Sequence, residues 1–479
     1  MNLKIYQAGL RFMFVNAVKR LFGGEVYFEH SLDHGIYGVI EAPTPIDQAA
    51  LNKIKEHMQN MVQQNLPFEK KIVSKKEAYE FYKKKGYMEK AYNVLNINNV
   101  VVSMFSLEGQ YNYLYTHDIP ASTGVIQYFD LFYVDVNKFV LIYPFNGKID
   151  FTFRRKLFET FSDYNDWSHR LGVPYVANLN NIVAQGKIGD LIRKNDIIQN
   201  ARINDVAKDI IEKGKKIILL AGPSSSGKTT TSRKLSLYLA SHGVNARPIS
   251  LDDFYLDNDK KPVMADGKID YESIDAIDVN FFSDCLKRLL AGEEVQFPIY
   301  DFTTGTHSLD VPIKLEENEV IVVEGLHAIN PKLIDLLDQN VIYKVYISPL
   351  TPLGIDRHNY VSTTDNRLLR RMIRDFRTRG SDAEKTILTW GDVRNGEEQY
   401  IFPYTDTVDQ VINTAYIYEM GVLKVFCEPL LMNIPMDSEA YEEARRLLGA
   451  LNVFYPISSE LIPHDNVLRE FIGGSVFEK

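Results

Sequence analysis

The sequence predicts an α/β fold, a P-loop NTPase with a mostly parallel sheet and helices on both faces, preceded by an α+β domain and a helical connector. Three observations carry that expectation. From Lys216 onward short apolar runs alternate with helical stretches, the pattern of βαβ units whose sheet is covered on both faces. The run Ile217 to Ala221 leads straight into a glycine-serine turn and a helix. Before about residue 145, helical and strand-like stretches mix without that alternation.

A chain of 479 residues exceeds the size at which one hydrophobic core stops growing, so several domains are expected. Hydrophobic residues at 45% and charged residues at 24% exclude wholesale disorder. A formal charge of -9 excludes a generally basic nucleic-acid binder, so any polyanion site is local. Cys285 and Cys427 are the only cysteines, which excludes a disulfide framework or a four-cysteine zinc site and makes a cytoplasmic location the default. The first stretch reads as an amphipathic helix rather than a signal peptide, and no apolar run reaches bilayer length, so no membrane partner is expected.

Four regions follow in order. Residues 1–145 carry a helix around Gln7 to Leu21, strands at Gly35 to Glu41, Val100 to Phe105 and Lys138 to Tyr143, and a helix at Ile46 to Gln64. Pro144 and Gly147 then break the pattern, and residues 146–213, from the helix at Arg155 to Tyr164 onward, read as a helical connector. Residues 214–415 hold the alternating region, with further strands at Ala246 to Leu251, Val320 to Val323 and Val341 to Ile347. Residues 416–479 form a helical extension that includes Ser438 to Leu451.

Gly222-Pro223-Ser224-Ser225-Ser226-Gly227-Lys228-Thr229 satisfies G-x-x-x-x-G-K-S/T directly after a strand. Glycines let the backbone N–H groups of the loop turn inward, and the helix from Lys228 through Thr230 adds the positive end of its dipole, which favours bound phosphates. On that reading Lys228 reaches the β/γ-phosphates of ATP and Thr229 helps hold Mg²⁺. Glu324 ends an apolar strand, where a carboxylate coordinates Mg²⁺ directly or through water.

Leu251-Asp252-Asp253-Phe254-Tyr255 follows the second strand and sets carboxylates at the carboxyl edge of the sheet, where open α/β sheets bind ligands. Read as extended, it sends Asp252 and Asp253 to opposite sides. Pro298-Ile299-Tyr300-Asp301-Phe302 leads on to His307, and Asp365 to Gly380 carries six arginines. Leu369, Met372, Ile373 and Phe376 make that last stretch an amphipathic helix, on which Arg367, Arg371 and Arg374 project from one side toward a common target.

In this order the pieces resemble the uridine kinase and phosphoribulokinase family of P-loop kinases, specifically its uridine-cytidine kinase branch, over roughly residues 215 to 415. The resemblance implies an ATP- and Mg²⁺-dependent kinase acting on the 5′-hydroxyl of a nucleoside. It makes Asp252 the catalytic base and places Tyr300 and His307 against the nucleoside, with Gly305-Thr306 as an insertion before the histidine. Tyr271-Glu272-Ser273-Ile274-Asp275 resembles the family's F-D-H-P-D, so Glu272 takes the place of a ribose-binding aspartate. The lid segment Arg370 to Gly380 resembles R-R-x-x-R-D-x-x-x-R-G-R, which gives Arg371 and Arg374 catalytic roles and Arg379 a nucleotide contact, with Ser381 replacing the last arginine. Gln399-Tyr400-Ile401-Phe402-Pro403 resembles the branch's Q-Y-I-x-P. His327 reads as packing. Two alternatives stay open: a kinase of another small-molecule hydroxyl, such as a sugar phosphate or vitamin precursor, and a nucleotide-dependent RNA-binding regulator.

Asn16 to Phe22 and His34 to Tyr37 resemble the second additional, editing-type domain of threonyl-tRNA synthetases. Ala8 and Phe12 stand where that family has its first histidine pair, and no cysteine precedes Cys285, so the metal site and editing are not carried over. His30 and His34 have H-x-x-x-H spacing between strand-like stretches and read as ordinary histidines, as does His117 beside Asp118. RNA binding, a small ligand, regulation and homo-oligomer formation all stay open as roles for this domain.

Overall fold

The computed structural model describes residues 3–97, 99–113, 119–263, 267, 269–301 and 304–478. They divide into two compact units. Unit 1 holds Met1–Gly189, Leu350–Asn366 and Ile417–Ser458; unit 2 holds Asp190–Pro349, Arg367–Tyr416 and Ser459–Lys479.

Unit 1 is α+β. Its four-stranded antiparallel sheet runs Glu25–Leu32, Gly35–Glu41, Lys138–Ile142, Asp130–Asp135, and a second sheet pairs Glu69–Ser74, Val101–Leu107 and Gln110–Tyr113. Period-two alternation along Glu25–Leu32 turns Val26, Phe28, His30 and Leu32 inward. The helix Leu3–Phe22 buries Leu10, Met13, Phe14 and Ala17, and the Phe14 ring lies 4.4 Å from that of Phe139. Asp47 caps Gln48–Gln64 by accepting from Ala50 N at 2.8 Å, and Asn65 at φ 51° ends it in the left-handed region.

Two later stretches belong to this unit. In the first, Arg357 O accepts from Phe28 N at 2.8 Å, and buried Asp356 pairs with buried Lys90 at 3.0 Å. In the second, Val453 O accepts from Asn180 Nδ2 at 2.7 Å, and Arg446 donates to Asp365 at 2.6 and 2.7 Å. The 416–479 stretch is therefore divided: Ile417–Ser458 lies in unit 1 and Ser459–Lys479 in unit 2. His30 is buried with its ring stacked on Phe161, and burial pushes its pKa down to about 3; His34 stacks instead on Phe145. His117 and Asp118 lie outside the described residues.

Unit 2 is the α/β unit. Its five strands are all parallel, in the order Gln410–Asn413, Ile342–Ser348, Ile217–Ala221, Glu319–Glu324, Asn245–Ser250. Ile217–Ala221 is wholly buried, as a strand between two parallel neighbours must be, and so reads as a continuous apolar run. One face packs Ile218, Leu220, Val320, Val322 and Val345 against Leu235 and Leu239 of the helix Lys228–Ser241 and against Ile203, Val206 and Ile210. Burying each such side chain contributes about 1.5–3 kcal/mol. In register, Leu220 lies opposite Glu324, and Glu324 opposite Ser250. This aligns the carboxyl ends of three strands. Of the described residues, no helix is long and apolar enough to cross a membrane.

Candidate active site

The site is built where those strand ends meet the loop after Ile217–Ala221. Gly222 has no room for a side chain, because a Cβ there would lie 2.5 Å from Ile347 O. Ser225 at φ 59° and Gly227 at φ 88° turn the loop back on itself before the helix starts at Lys228. Lys228 Nζ donates to Gly222 O at 3.0 Å and Pro223 O at 3.3 Å, so the ammonium is folded over the loop it belongs to. The Ser225, Ser226 and Thr231 hydroxyls are buried with no protein partner among the described residues.

Thr229 Oγ1 donates to Glu324 Oε1 at 3.3 Å. Burial pushes the Glu324 carboxyl up to about 7; Lys228 and Thr229 act against this, while Asp252 and Glu470 add to it. A hydroxyl beside a carboxylate is the hard-oxygen donor set that Mg²⁺ takes, and a divalent cation bound there displaces the proton. The inward hydroxyls, the loop glycines and this pair fit a magnesium-bound polyphosphate.

Asp252 stands at the same edge. The segment Leu251–Phe254 is one 3₁₀ turn, with Ser250 Oγ accepting from Asp252 N at 3.3 Å, rather than the extended run the sequence suggests. Side-chain hydrogen bonding by a serine just before two aspartates favours the turn over continuation of the strand. Successive side chains then diverge by about a third of a turn instead of pointing opposite ways. Asp252 and Asp253 still part company. Water reaches Asp252, yet the surrounding protein raises its pKa, and Lys228 and Arg379 pull it back. Asp253 accepts from Tyr300 N at 3.5 Å, and burial raises it too.

Tyr300 and His307, expected on the acceptor side, come together on a hairpin. Tyr300 pairs directly with His307 across Pro298–Asp301 and Thr306–Leu309, with their rings edge-on at 5.4 Å. Gly305, at φ 70°, makes the turn, and His307 Nδ1 lies 2.9 Å from Asp257 Oδ1. The sequence gives no sign of Lys261 here. Its buried ammonium lies 4.1 to 5.0 Å from the ring centres of Tyr255, Tyr271 and Tyr300, hydrogen-bonds Tyr300 OH, and donates to Asn258 Oδ1 at 2.9 Å. Phe302 lies outside the described residues.

Glu272 lies at the phosphate-loop side. Burial and the Glu397 carboxylate push it up to about 7, and Arg371 and Lys228 oppose them. His327 is buried edge-on to Tyr400, which agrees with packing.

The arginines do not share one target. Arg367 and Arg370 are buried, donating to Ser224 O at 2.9 Å and Thr414 O at 2.9 Å respectively. Arg371 Nη1 donates to Ser224 Oγ at 2.8 Å, and its Nε lies 3.2 Å from Asp375. Arg374 donates to Asp375 at 2.8 and 3.0 Å, and Arg379 stands 3.6 Å from it. Same-side spacing does not bring them to one ligand, because seven residues of helix rise about 10 Å along the axis. The first two therefore brace the loop, and the later three gather at Asp375.

Two residues the sequence reading missed touch the loop. Glu397, fully buried, accepts from Ser224 N at 3.0 Å, pairs with Arg367 and accepts from Arg394 at 3.1 Å. Nothing separates it in sequence from its exposed-looking neighbour Glu398. Glu470 accepts from Thr230. Glu397→Gln should cost about 3–5 kcal/mol, because it leaves a buried guanidinium uncompensated. Denaturant unfolding measures it, and an unchanged midpoint contradicts the role.

The sequence profile of the phosphoribulokinase / uridine kinase family matches residues 217–417. A uridine kinase of Leuconostoc citreum (strain KM20) is 33% identical over 173 residues, 36% of this chain and 73% of that protein. One of Ligilactobacillus salivarius (strain UCC118) is 32% identical over 199 residues, 41% of this chain and 84% of that one. The chain belongs to the phosphoribulokinase / uridine kinase family. It is a kinase, and the residues just described are this kinase's candidate site. Among solved structures, a D-glycerate 3-kinase of Cryptococcus neoformans var. grubii aligns with 44% of this chain and 92% of its own at 17% identity, TM-score 0.32.

Proposed function

We propose that this kinase transfers the γ-phosphoryl group of ATP to the 5′-hydroxyl of a nucleoside of the uridine or cytidine type. The observation that carries the reading is the convergence of Lys228, the Thr229–Glu324 pair and Asp252 at one sheet edge. Magnesium-bound ATP supplies the phosphoryl group, and the cation neutralises charge on the phosphate oxygens. The loop N–H groups and Ser225, Ser226 and Thr230 hold the phosphates, while Thr229 and Glu324 hold the cation. Asp252 orients the acceptor hydroxyl and takes its proton as the new O–P bond forms and the bond to the ADP oxygen breaks. Lys228 swings from the carbonyls of Gly222 and Pro223 toward the transferred oxygens, and Arg371 and Arg374 add positive charge there. Arg379 holds the nucleotide and favours the ionised form of Asp252. Tyr300, His307 and Glu272 bind the nucleoside.

A second reading has its own observation. The Lys261 ammonium beside Tyr300 favours an acceptor with an anionic group, such as a sugar phosphate. Incubating the kinase with ATP and a panel of nucleosides, sugar phosphates and vitamin precursors, with products weighed by mass spectrometry, separates the two. A nucleoside monophosphate supports the first reading; a sugar bisphosphate with no nucleoside product supports the second.

For residues 1–145 we propose a threonyl-tRNA synthetase additional-domain type of fold without its metal chemistry. Support comes from the α+β arrangement and from Ala8 and Phe12, which are buried in Leu3–Phe22 and offer no ligand atom.

A further inference from the structure

Thr230 is the third residue of the helix Lys228–Ser241, and its N–H is one of the groups a helix leaves without an internal partner. Such N–H groups at a phosphate loop face the bound phosphates. Here Glu470 Oε2 takes both donors of Thr230, the N–H at 3.2 Å and the hydroxyl at 2.8 Å. The carboxylate thus presents an anionic oxygen where a phosphate oxygen would be received.

The stretch that brings it is firmly seated. Arg377 donates to Glu470 O at 2.9 Å and Phe471 O at 3.1 Å, and pairs with Glu478. Buried Lys234, one turn beyond Thr230 on the same helix, pairs with Asp465 at 2.9 Å, and a Cβ on Gly227 would lie 2.4 Å from Val467. All of these residues belong to unit 2. Asp465, Val467, Glu470, Phe471 and Glu478 also lie beyond residue 417, where the family match ends. A carboxylate that only capped the helix would need one N–H; this one also claims the hydroxyl.

We propose that Glu470 occupies a nucleotide phosphate seat, so that the carboxyl-terminal stretch 459–478 and ATP compete for the loop and the kinase is held back until nucleotide displaces the carboxylate. The proposal rests on the reading of this loop as the ATP site. Its chemistry is a like-charge exclusion: two anions cannot share the donors of Thr230.

The test is the affinity of the full-length chain for magnesium-bound ATP, by calorimetry, in wild type, Glu470→Gln, Glu470→Ala and Arg377→Ala. Thermal melting verifies that each is folded. Removing the charge, or loosening the stretch that carries it through Arg377, should tighten ATP binding about tenfold, the worth of a charged hydrogen bond. Arg377→Ala keeps the glutamate itself, so the same direction there supports competition rather than a change at position 470. Unchanged or weaker binding in folded Glu470 variants overturns the proposal and leaves the kinase site standing. No ATP binding in wild type or any variant overturns the site reading, and the proposal with it.

Discussion

Asp252→Asn should retain ATP binding and lose roughly 10²- to 10⁴-fold in turnover, the usual cost of losing a general base. Asparagine keeps the shape of the side chain but cannot take up the hydroxyl proton. Lys228 and Arg379 are the groups that pull the Asp252 pKa down against the surrounding protein. Desolvation by that protein works the other way and outweighs them, disfavouring the charged form, so a neutral side chain is tolerated and the loss falls on kcat rather than on folding. Asp253→Asn is the control. Its carboxylate accepts from Tyr300 N, a bond that the asparagine Oδ1 can keep, so turnover should fall far less. Steady-state kinetics at saturating ATP separate the two variants. If they exchange behaviour, the base is Asp253; if neither slows turnover, the base lies elsewhere.

Lys228→Ala should lower turnover by at least about 10³-fold, because a preorganised charge aimed at developing negative charge is among the largest catalytic contributions. The ammonium bridges Gly222 O and Pro223 O, contacts a nearby water can replace. Folding should therefore survive. Circular dichroism and a coupled ADP assay on the purified variant check both halves, and wild-type turnover by a folded Lys228→Ala chain would remove the loop from the mechanism.

What the sequence could reveal follows from how local each determinant is. The strand Ile217–Ala221 and the loop after it were legible because burial on both faces and the need for tight turns leave a contiguous trace. The turn at Leu251–Phe254 was misread because Ser250 bonds Asp252 N only two residues on, a competition that strand periodicity does not register. The edge strand Gln410–Asn413 passed unnoticed at four residues, too short for a pattern. Lys261 and Glu397 owe their positions to partners 39 and 173 residues away, Tyr300 and Ser224, which no window spans.

The same limit governs domain organisation. Every proposed catalytic residue follows position 220, which suggests that residues 1–189 are separable. Yet Asp356 is buried on Lys90, and Val453 accepts from Asn180. Deleting the amino-terminal stretch would strand a buried carboxylate without its cation, at a cost of several kcal/mol. Experiments on this kinase therefore call for the whole chain.

The most direct test of the central claim is phosphorus NMR of the full-length kinase with uridine and magnesium-bound ATP. A 5′-phosphate couples to the two protons of its methylene carbon and gives a triplet. The account predicts that triplet, growing one for one with ADP in wild type and suppressed in Asp252→Asn. ADP accompanied only by inorganic phosphate, or a doublet from a phosphate on a secondary carbon, would contradict it.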